Sequence, residues 1–293
     1  MNCAITLKQL HVFVEVARHG NITVAAKALS LTQPAVSMAL SQLEALLNHQ
    51  LFERARNRLT LNEKGRYLLP KAVEILERVH SVERSLKAET GTITGSLRVS
   101  ASLTVGNYLM PGMVSQFLEK HPNVDVSLQI ENTRAVIEDV LAFNIDVGFV
   151  EDYQRTPDTD MIQWREDRLA IFASPNDPLA KQDIVCENDL QSRPWILREQ
   201  GSGTRHVFEN AIAGRLKDLR VILELNQAEA VKQAVENGLG ISCMSILSIH
   251  KELIEGRFVE LHAPSLDLGR HLYIVLHKKK YRSDALKAFL EFV

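Results

Sequence analysis

Hydrophobic and small residues between positions 23 and 44 follow a helical period in two blocks, which predicts two helices joined by a tight turn. The first helix is predicted over residues 24–29, with Thr23 as its N-cap. Thr32 caps the second helix, and Pro34 lies in its first turn, where a missing backbone N–H loses no hydrogen bond. The apolar stripe of the second helix contains Ala35, Val36, Ala39, Leu40 and Leu43. This spacing predicts a helix-turn-helix unit that binds DNA.

The other face of the second helix is uncharged and rich in hydrogen-bonding groups. Gln and Ser side chains each offer a donor and an acceptor, as base edges in the major groove require. The residues predicted to face bases are Gln33, Pro34, Ser37 and Met38. The residues predicted to lie nearer the DNA backbone are Thr23, Thr32, Ser41, Arg54, Arg56 and Arg58. The alternative is a plain helical hairpin within a core.

Two short extended runs, residues 51–54 and 58–61, follow the second helix around a turn near Arg56 and Asn57. This pattern predicts a basic wing. Arg54, Arg56 and Arg58 alternate with other residues, so a period of two predicts that all three lie on one face and pair with phosphates. The alternative is a solvated surface cluster.

Residues 65–89 are predicted to form one long helix of about 35 Å. Its apolar residues are spaced by 4, 3, 4, 3 and 4 positions and are Leu68, Ala72, Ile75, Val79, Val82 and Leu86. This heptad seam favours pairing with a second subunit, which predicts a homodimer that reads a palindromic operator. The alternative is packing against its own domain.

From residue 95 the pattern alternates between strands and helices, which implies parallel sheets flanked by helices. Strands are predicted at 97–102, 124–131 and 145–151, and helices at 108–120 and 135–143. The predicted domains are a winged helix-turn-helix at 1–65, a linker helix at 66–89 and an α/β domain at 90–293. The α/β domain divides into lobe I (95–163 and 268–293) and lobe II (164–267), with a cleft between them.

Ligands of open α/β sheets bind at the carboxyl ends of strands, where helix N-termini present free backbone N–H groups. Short hydroxyls at three such places predict a small oxyanion or carboxylate as the ligand. The candidate effector-binding residues are Ser100, Ser102, Leu103, Thr104, Thr133, Glu151, Ser202, Gly203, Thr204 and Asn226. The alternative for the hydroxyls is ordinary helix capping. Glu151 is expected either to accept hydrogen bonds from a protonated ligand or to neutralise Arg198 or Arg205.

The charge of the chain is divided unevenly. Its 293 residues carry a net charge of −2, yet residues 1–89 hold 12 Lys and Arg against 8 Asp and Glu, and the remainder holds 22 against 28. The nucleic-acid face is therefore expected only in the N-terminal part. Cys3, Cys186 and Cys243 are distant and odd in number, which indicates reduced thiols in a cytoplasmic protein. The alternative is redox sensing by one of the thiols. No secretory signal pattern is visible.

The motifs give no support to catalysis. The segment GSGTR lacks the Lys of a P-loop, and no HExxH, CxxC or GxSxG occurs, so no catalytic residue, metal or cofactor is predicted. Two other classes remain open. One is a small-molecule binding protein or enzyme of the periplasmic-binding fold that uses its N-terminal domain for assembly, and the other is a nucleoid-type structural DNA binder.

Residues 7–65, LKQLHVFVEVARHGNITVAAKALSLTQPAVSMALSQLEALLNHQLFERARNRLTLNEKG, resemble the LysR-type transcriptional regulators, and the resemblance continues through the whole chain. The segments GNYLMP and WILREQGSGTR look like the CysL-like branch, which acts in sulfur metabolism. The resemblance implies a small anionic effector, with sulfite as the candidate, dimers that pair into homotetramers, and RNA polymerase as a candidate partner. Many members carry Arg where this chain has Met38, so the family's operator sequence is not carried over.

Overall fold

The computed structural model describes residues 4–55, 58–85, 92–154, 156–213 and 219–293, with positions 54, 55, 81, 84 and 85 described by the backbone alone. The N-terminal elements form a winged helix-turn-helix. In chain order they are α1 (Leu7–His19), α2 (Ile22–Ala28), α3 (Gln33–Leu47), β1 (Phe52–Ala55), β2 (Arg58–Leu61) and α4 (Glu63–Ser85). Phe13, Val36 and Leu43 are fully buried at the centre, because each lies on the apolar stripe of its helix.

Local hydrogen bonds fix the helix ends. Thr32 caps α3 as predicted, with its hydroxyl accepting from the Ala35 N–H at 3.4 Å. The predicted N-cap at Thr23 is wrong, because Asn21 caps α2 and its side-chain oxygen accepts from the N–H groups of Thr23 and Val24. An Asn oxygen reaches both amides from one position, and Asn is among the preferred N-cap residues.

The linker helix α4 begins two residues earlier than predicted, and residues 86–89 of the prediction lie outside the described residues. The first half of the heptad seam packs on the DNA-binding domain, where Ala72 is fully buried and Leu68 is partly buried. The second half is open, since Ile75 is 42% exposed and Val82 is 60% exposed. The first half of the seam therefore packs against its own domain, as the alternative expected, and the second half is exposed in the protomer.

The C-terminal domain begins at β3. Its elements are β3 (Gly95–Ser102), α5 (Leu103–Tyr108), α6 (Met110–Lys120), β4 (Val124–Glu131), α7 (Thr133–Leu141), β5 (Val147–Val150), β6 (Thr159–Ala173), a 3-10 helix (Pro178–Lys181), α8 (Glu187–Ser192), β7 (Trp195–Arg198), α9 (Gly203–Ile212), β8 (Val221–Leu225), α10 (Ala228–Glu236), β9 (Ser242–Ser245), α11 (Ile246–Ile254), β10 (Val259–Glu260), β11 (Gly269–His277) and α12 (Asp284–Phe292). The helix predicted over 108–120 corresponds to α6, which begins two residues later at Met110 with Pro111 in its first turn. The short helix α5 precedes it and was not predicted, and the two helices are separated at Leu109.

The main sheet has the strand order β10-β6-β11-β5-β3-β4, and β9 also pairs with β6. Strand β3 is parallel to β4 and β5, whereas β6, β9, β10 and β11 pair antiparallel. The expected parallel pairing is therefore confirmed for β3 with β4 and β5, and it is wrong for the strands that pair antiparallel. The reason is that β6 and β11 are the two long crossing strands, and they run in opposite directions between the lobes.

Each lobe has its own core. Phe117, Phe149 and Phe289 are fully buried in lobe I, and Trp195 and Phe208 are buried in lobe II. The strands β7 and β8 form a separate parallel pair in lobe II. Two cores joined by two strands leave a cleft at the carboxyl ends of β3, β4 and β7, where the candidate effector residues lie.

Candidate functional site: a DNA-reading helix and an interlobe cleft

The polar face of α3 is free in the protomer. Gln33, Pro34 and Ser41 are exposed, and Met38 is 61% exposed although it is apolar. Ser37 is half-buried and lies closer to the helix packing. The residues predicted to read bases therefore form one accessible surface on the N-terminal part of the helix, as a recognition helix requires.

The wing is a two-stranded hairpin whose register corrects one prediction. Arg54 pairs with Leu59, and Ala55 pairs with Arg58. Directly opposed residues share a face of the sheet, so positions 54 and 58 lie on opposite faces. The prediction counted positions through the turn as one strand, and the reversal at the hairpin breaks that period. Arg56 lies outside the described residues, and Arg58 is exposed.

Three helix N-termini meet at the cleft between the lobes. They belong to α5 and α7 in lobe I and to α9 in lobe II. A Cβ added to Gly203 would lie 2.5 Å from Thr133 Oγ1, which shows how closely α9 approaches α7. The Asn132 amide also donates to Glu199 Oε1 at 3.3 Å across the cleft. Since each N-terminus is the positive end of a helix dipole, the arrangement favours an anion.

Some of the cleft hydroxyls are helix caps and others are not. Ser202 caps α9, with its hydroxyl accepting from the Arg205 N–H at 3.4 Å. Ser102 stands at the N-cap of α5 but makes no capping bond. The hydroxyls of Ser100, Ser102 and Thr133 are all buried and have no hydrogen-bond partner among the described residues. A buried unpartnered hydroxyl costs about 1–3 kcal/mol, so each of these three can still make a hydrogen bond that the described residues do not supply.

Glu151 occupies the centre of the cleft and is saturated with donors. It accepts from the Thr104 N–H at 2.7 Å, from Thr204 Oγ1 at 2.6 Å and from Arg270 Nη1 at 3.2 Å. Burial would raise the pKa of Glu151, but the Arg270 charge and the hydrogen bonds from Thr204 and Thr104 lower it to about 2. Glu151 is therefore ionised, and it connects lobe I with lobe II.

The expected counter-ions of Glu151 are wrong. Arg198 pairs with its neighbour Glu199, with 2.8 Å between Nε and Oε2. Arg205 pairs with Glu209 on its own helix at 2.7 Å. Both arginines therefore have nearer carboxylates than Glu151.

The counter-ion is Arg270, which sequence reasoning missed. Its side chain is 2% exposed, and its Nε donates to Asp167 Oδ2 at 2.7 Å. Its Nη1 donates to Thr204 Oγ1 at 3.1 Å, and its Nη2 donates to Thr104 Oγ1 at 3.4 Å. Arg270 lies near the start of β11, and no motif or periodicity in the sequence marks a buried charge at this position. Arg270 thus neutralises Glu151 and contacts residues of both lobes.

A cavity of about 320 Å³ lies at the mouth of the cleft. Residues from both lobes line it, namely Leu103, Asn107, Ile130, Glu131, Asn132, Glu199, Asn226 and Gln227. Of the predicted effector residues, Leu103 of lobe I and the exposed Asn226 of lobe II line this cavity. Burial and the nearby Asp139 charge raise the pKa of Glu131. Because two carboxylates line the mouth, the site favours a small anion of low charge over a multiply charged one.

Other chemistry has few candidates among the described residues. No cluster of three His, Cys, Asp or Glu in that part of the chain is placed to hold a metal ion. Burial raises the pKa of the Cys243 thiol far above its usual range, and Cys186 is exposed. Cys3 lies outside the described residues. Over the ranges that the structure describes, no helix has the length and hydrophobicity to cross a membrane.

A winged helix-turn-helix joined to a two-lobed α/β domain with an anion-favouring cleft defines the class of ligand-responsive DNA-binding regulators. Family comparison agrees in both parts. Residues 7–66 match the model for bacterial regulatory helix-turn-helix proteins of the lysR family, and residues 90–293 match the LysR substrate binding domain. The chain belongs to the LysR family of transcriptional regulators and is a regulator rather than an enzyme.

Relatives and solved structures cover nearly the whole chain. The Escherichia coli K12 protein "Uncharacterized HTH-type transcriptional regulator YeiE" is 39% identical over 98% of this chain and 97% of its own. CysL of Bacillus subtilis is 28% identical over 95% of this chain and 98% of its own. A full-length OxyR variant from Pseudomonas aeruginosa has the same fold, with a TM-score of 0.72, 18% identity and coverage of 98% of this chain and 97% of that one.

One regulatory domain was solved with a ligand. The CcmR regulatory domain of Synechocystis PCC6803 in complex with 2-PG has a TM-score of 0.64 and 28% identity, and the match covers 68% of this chain and 95% of that one. The likeness to YeiE and CysL along the whole chain confirms the family resemblance. Because the identity to YeiE is higher than that to CysL, the comparisons do not single out the CysL-like branch.

Proposed function

We propose that the cleft binds a small anion of low charge, with sulfite as the first candidate, and that this anion is the effector of a LysR-type regulator. The observation that carries the proposal is the set of three buried hydroxyls without partners among the described residues, on Ser100, Ser102 and Thr133. Three helix N-termini supply the positive potential, so the ligand does not require a lysine or arginine of its own. The likeness to the CcmR regulatory domain, which was solved in complex with 2-PG, supports a small ligand for the α/β domain.

We further propose that residues 1–65, 66–89 and 90–293 act as separate domains, with lobe II spanning 164–267. Effector binding closes or rotates the lobes, and the linker helix carries the change to the DNA-binding domains. The open seam at Ile75 and Val82 supports pairing of α4 with a second subunit. The proposed assembly is a homodimer or homotetramer on a palindromic operator, with RNA polymerase as a candidate partner.

For DNA binding we propose two roles. Gln33, Pro34, Ser37 and Met38 face bases, and the residues nearer the backbone are Thr23, Thr32, Ser41, Arg54, Arg56 and Arg58. The exposed Gln33 and Met38 support the first set, and the exposed Arg58 supports the second. Met38 offers only apolar contact, for which a thymine methyl is the natural partner.

Gln33→Ala is expected to weaken binding to the operator by about 1–3 kcal/mol and to leave random DNA almost unaffected, because it removes base contacts. Arg58→Ala is expected to weaken both equally and to flatten the salt slope by about one unit, because it removes one phosphate contact. Fluorescence anisotropy with operator and scrambled duplexes at several salt concentrations measures both effects. Equal losses on the two duplexes for Gln33→Ala would contradict base reading.

Thr133→Val and Ser102→Ala are each expected to weaken sulfite binding about tenfold or more, because a hydrogen bond to a charged group contributes about 1.5–3 kcal/mol. Isothermal titration of the full-length protein with sulfite measures the affinity. Ser283→Ala is the control, since it removes the cap of α12 and leaves the cleft intact. If another small anion binds and sulfite does not, the sulfur assignment is wrong. If the hydroxyl variants bind like the wild type, the site is wrong.

A further inference from the structure

Phe143 of the effector-binding domain is buried in the core of the DNA-binding domain. It is 3% exposed, and its ring belongs to the hydrophobic cluster built by α1, α2, α3 and α4. Phe143 follows the end of α7 with a φ of 58°, a left-handed conformation that is unfavourable for an aromatic residue. The surrounding contacts must hold it there. On its other side its ring lies 4.1 Å from the ring of His277 on β11.

A buried ion cluster lies in the same interface. Lys280 Nζ lies 2.5 Å from Glu77 Oε1 on α4 and 2.6 Å from Asp146 Oδ1. Arg98 Nη2 lies 2.6 Å from Asp146 Oδ1 and 3.4 Å from Glu77 Oε1. The Lys280 side chain is only 2% exposed. Glu77 of the linker helix thus shares two cations with Asp146 of lobe I. We call Phe143, Arg98, Asp146 and Lys280 the docking face.

Three elements connect the docking face with the cleft. Helix α7 has Thr133 at its N-terminus, in the cleft, and Phe143 beyond its C-terminus, about 14 Å away along the helix. Strand β3 contains Arg98 and then Ser100 and Ser102. Strand β11 has Arg270 in the cleft and ends next to the docking face. A small shift at the cleft hydroxyls therefore has a direct structural path to the DNA-binding domain.

The docking interface is not packed like a core. A cavity of about 240 Å³ lies between α1, α4 and lobe I. Arg18 Nε and Glu77 Oε2 are buried beside it and have no hydrogen-bond partner within the described ranges. Protein cores leave few voids of this size and few polar atoms unpaired, so this contact stabilises the arrangement less than a core of equal area would.

We propose that the docking face holds the effector domain on its own DNA-binding domain, and that α7 couples this contact to the effector site. The docking contact stands by itself, whereas the coupling rests on the proposed anion effector. When the anion bonds to Thr133, α7 shifts, and Phe143 changes its fit in the DNA-binding domain. The geometry of the two DNA-binding domains in an oligomer then changes with effector occupancy.

Phe143→Ala in the full-length protein tests the coupling. The wild type is expected to change its affinity for a selected genomic DNA fragment at least about fivefold on adding saturating sulfite. In Phe143→Ala this ratio is expected to fall within twofold of one, while isothermal titration still shows saturable sulfite binding. The control is Phe258→Ala, which removes an equally buried ring that packs on Phe172 in lobe II, at 4.8 Å between centroids. This control is expected to keep the wild-type ratio.

Hydrogen exchange tests the docking contact without any ligand. Backbone amides of residues 72–80 in α4 are expected to exchange about tenfold faster in Phe143→Ala, because their cover is removed. Glu77→Gln is a milder variant at a half-buried helix position, and it is also expected to make these amides exchange faster. If the wild type binds neither sulfite nor any other anion tested, the effector proposal is wrong. The exchange rates in α4 still test whether the docking face contacts the DNA-binding domain. Wild-type exchange in both variants, or a wild-type ratio in Phe143→Ala, would overturn this proposal.

Discussion

Arg270→Met is expected to lower the free energy of unfolding of the effector-binding domain by about 3–5 kcal/mol. Arg270 is the buried counter-ion of Glu151 and Asp167, with contacts of 3.2 and 2.7 Å. Its removal leaves two carboxylates in the interior, whose side chains are 2% and 1% exposed. Urea denaturation of the full-length protein, followed by circular dichroism, measures the loss.

The matched control is Arg168→Met. Arg168 lies on β6 and pairs with Glu260, but its side chain is 51% exposed, so its loss is expected to cost about 1 kcal/mol or less. Equal losses for the two variants would show that the Arg270 cluster is not a buried structural pair.

The pH dependence gives a second readout of the same cluster. Because the folded pKa of Glu151 is lowered to about 2, its contribution is fully present above its ordinary pKa of 4.5. That contribution, about 3 kcal/mol, is lost as the pH falls from about 4.5 to about 2. In Arg270→Met the pKa of Glu151 is no longer lowered by Arg270, and only the hydrogen bonds from Thr204 and Thr104 still lower it, so this acid-dependent loss is expected to become smaller. A wild-type acid profile in the variant would contradict the assigned pairing.

Gly203→Ala is expected to weaken effector binding about tenfold or more while operator binding without effector is retained. The added Cβ would lie 2.5 Å from Thr133 Oγ1 and 3.1 Å from the Glu151 Cβ. These contacts would push the N-terminus of α9 away from that of α7. Isothermal titration and DNA anisotropy on the same preparation separate the two functions.

Gly112→Ala is the control for that substitution. Gly112 also lies in a helix near its N-terminus, and a Cβ there would meet nothing within 4 Å. Wild-type effector affinity is therefore expected for this control. If Gly203→Ala also bound the effector like the wild type, the approach of α9 to α7 would have no part in the binding site.

Local patterns in the sequence predict much of this structure. The turn chemistry of Thr32 and Pro34 predicts the start of α3, because capping depends on neighbouring residues alone. Thr23 shows the limit of that reasoning. Asn21 lies two positions earlier, and its side chain caps α2 by accepting from the N–H groups of Thr23 and Val24. The strands that end at the cleft are also predictable, because a short apolar run followed by Ser or Thr is a local pattern in the sequence.

Contacts between distant residues are not predictable in this way. Glu151 and Arg270 are 119 positions apart, and no periodicity connects them. The sequence pattern predicts Phe143 as the last apolar residue of a helix over 135–143, yet α7 ends at Leu141 and the tertiary fold buries Phe143 in another domain. The hairpin register likewise decides which faces Arg54 and Arg58 occupy, and the turn between them sets that register.

The central claim is a regulator whose DNA binding depends on a small anion. The most direct measurement is selection of bound fragments from the source genome by the purified protein at near-physiological salt, with and without sulfite and related anions. Enrichment of a short palindromic site, whose affinity or footprint shifts with one anion, is the expected result. Binding with no enriched site, or a site unaffected by every small anion tested, would contradict the account.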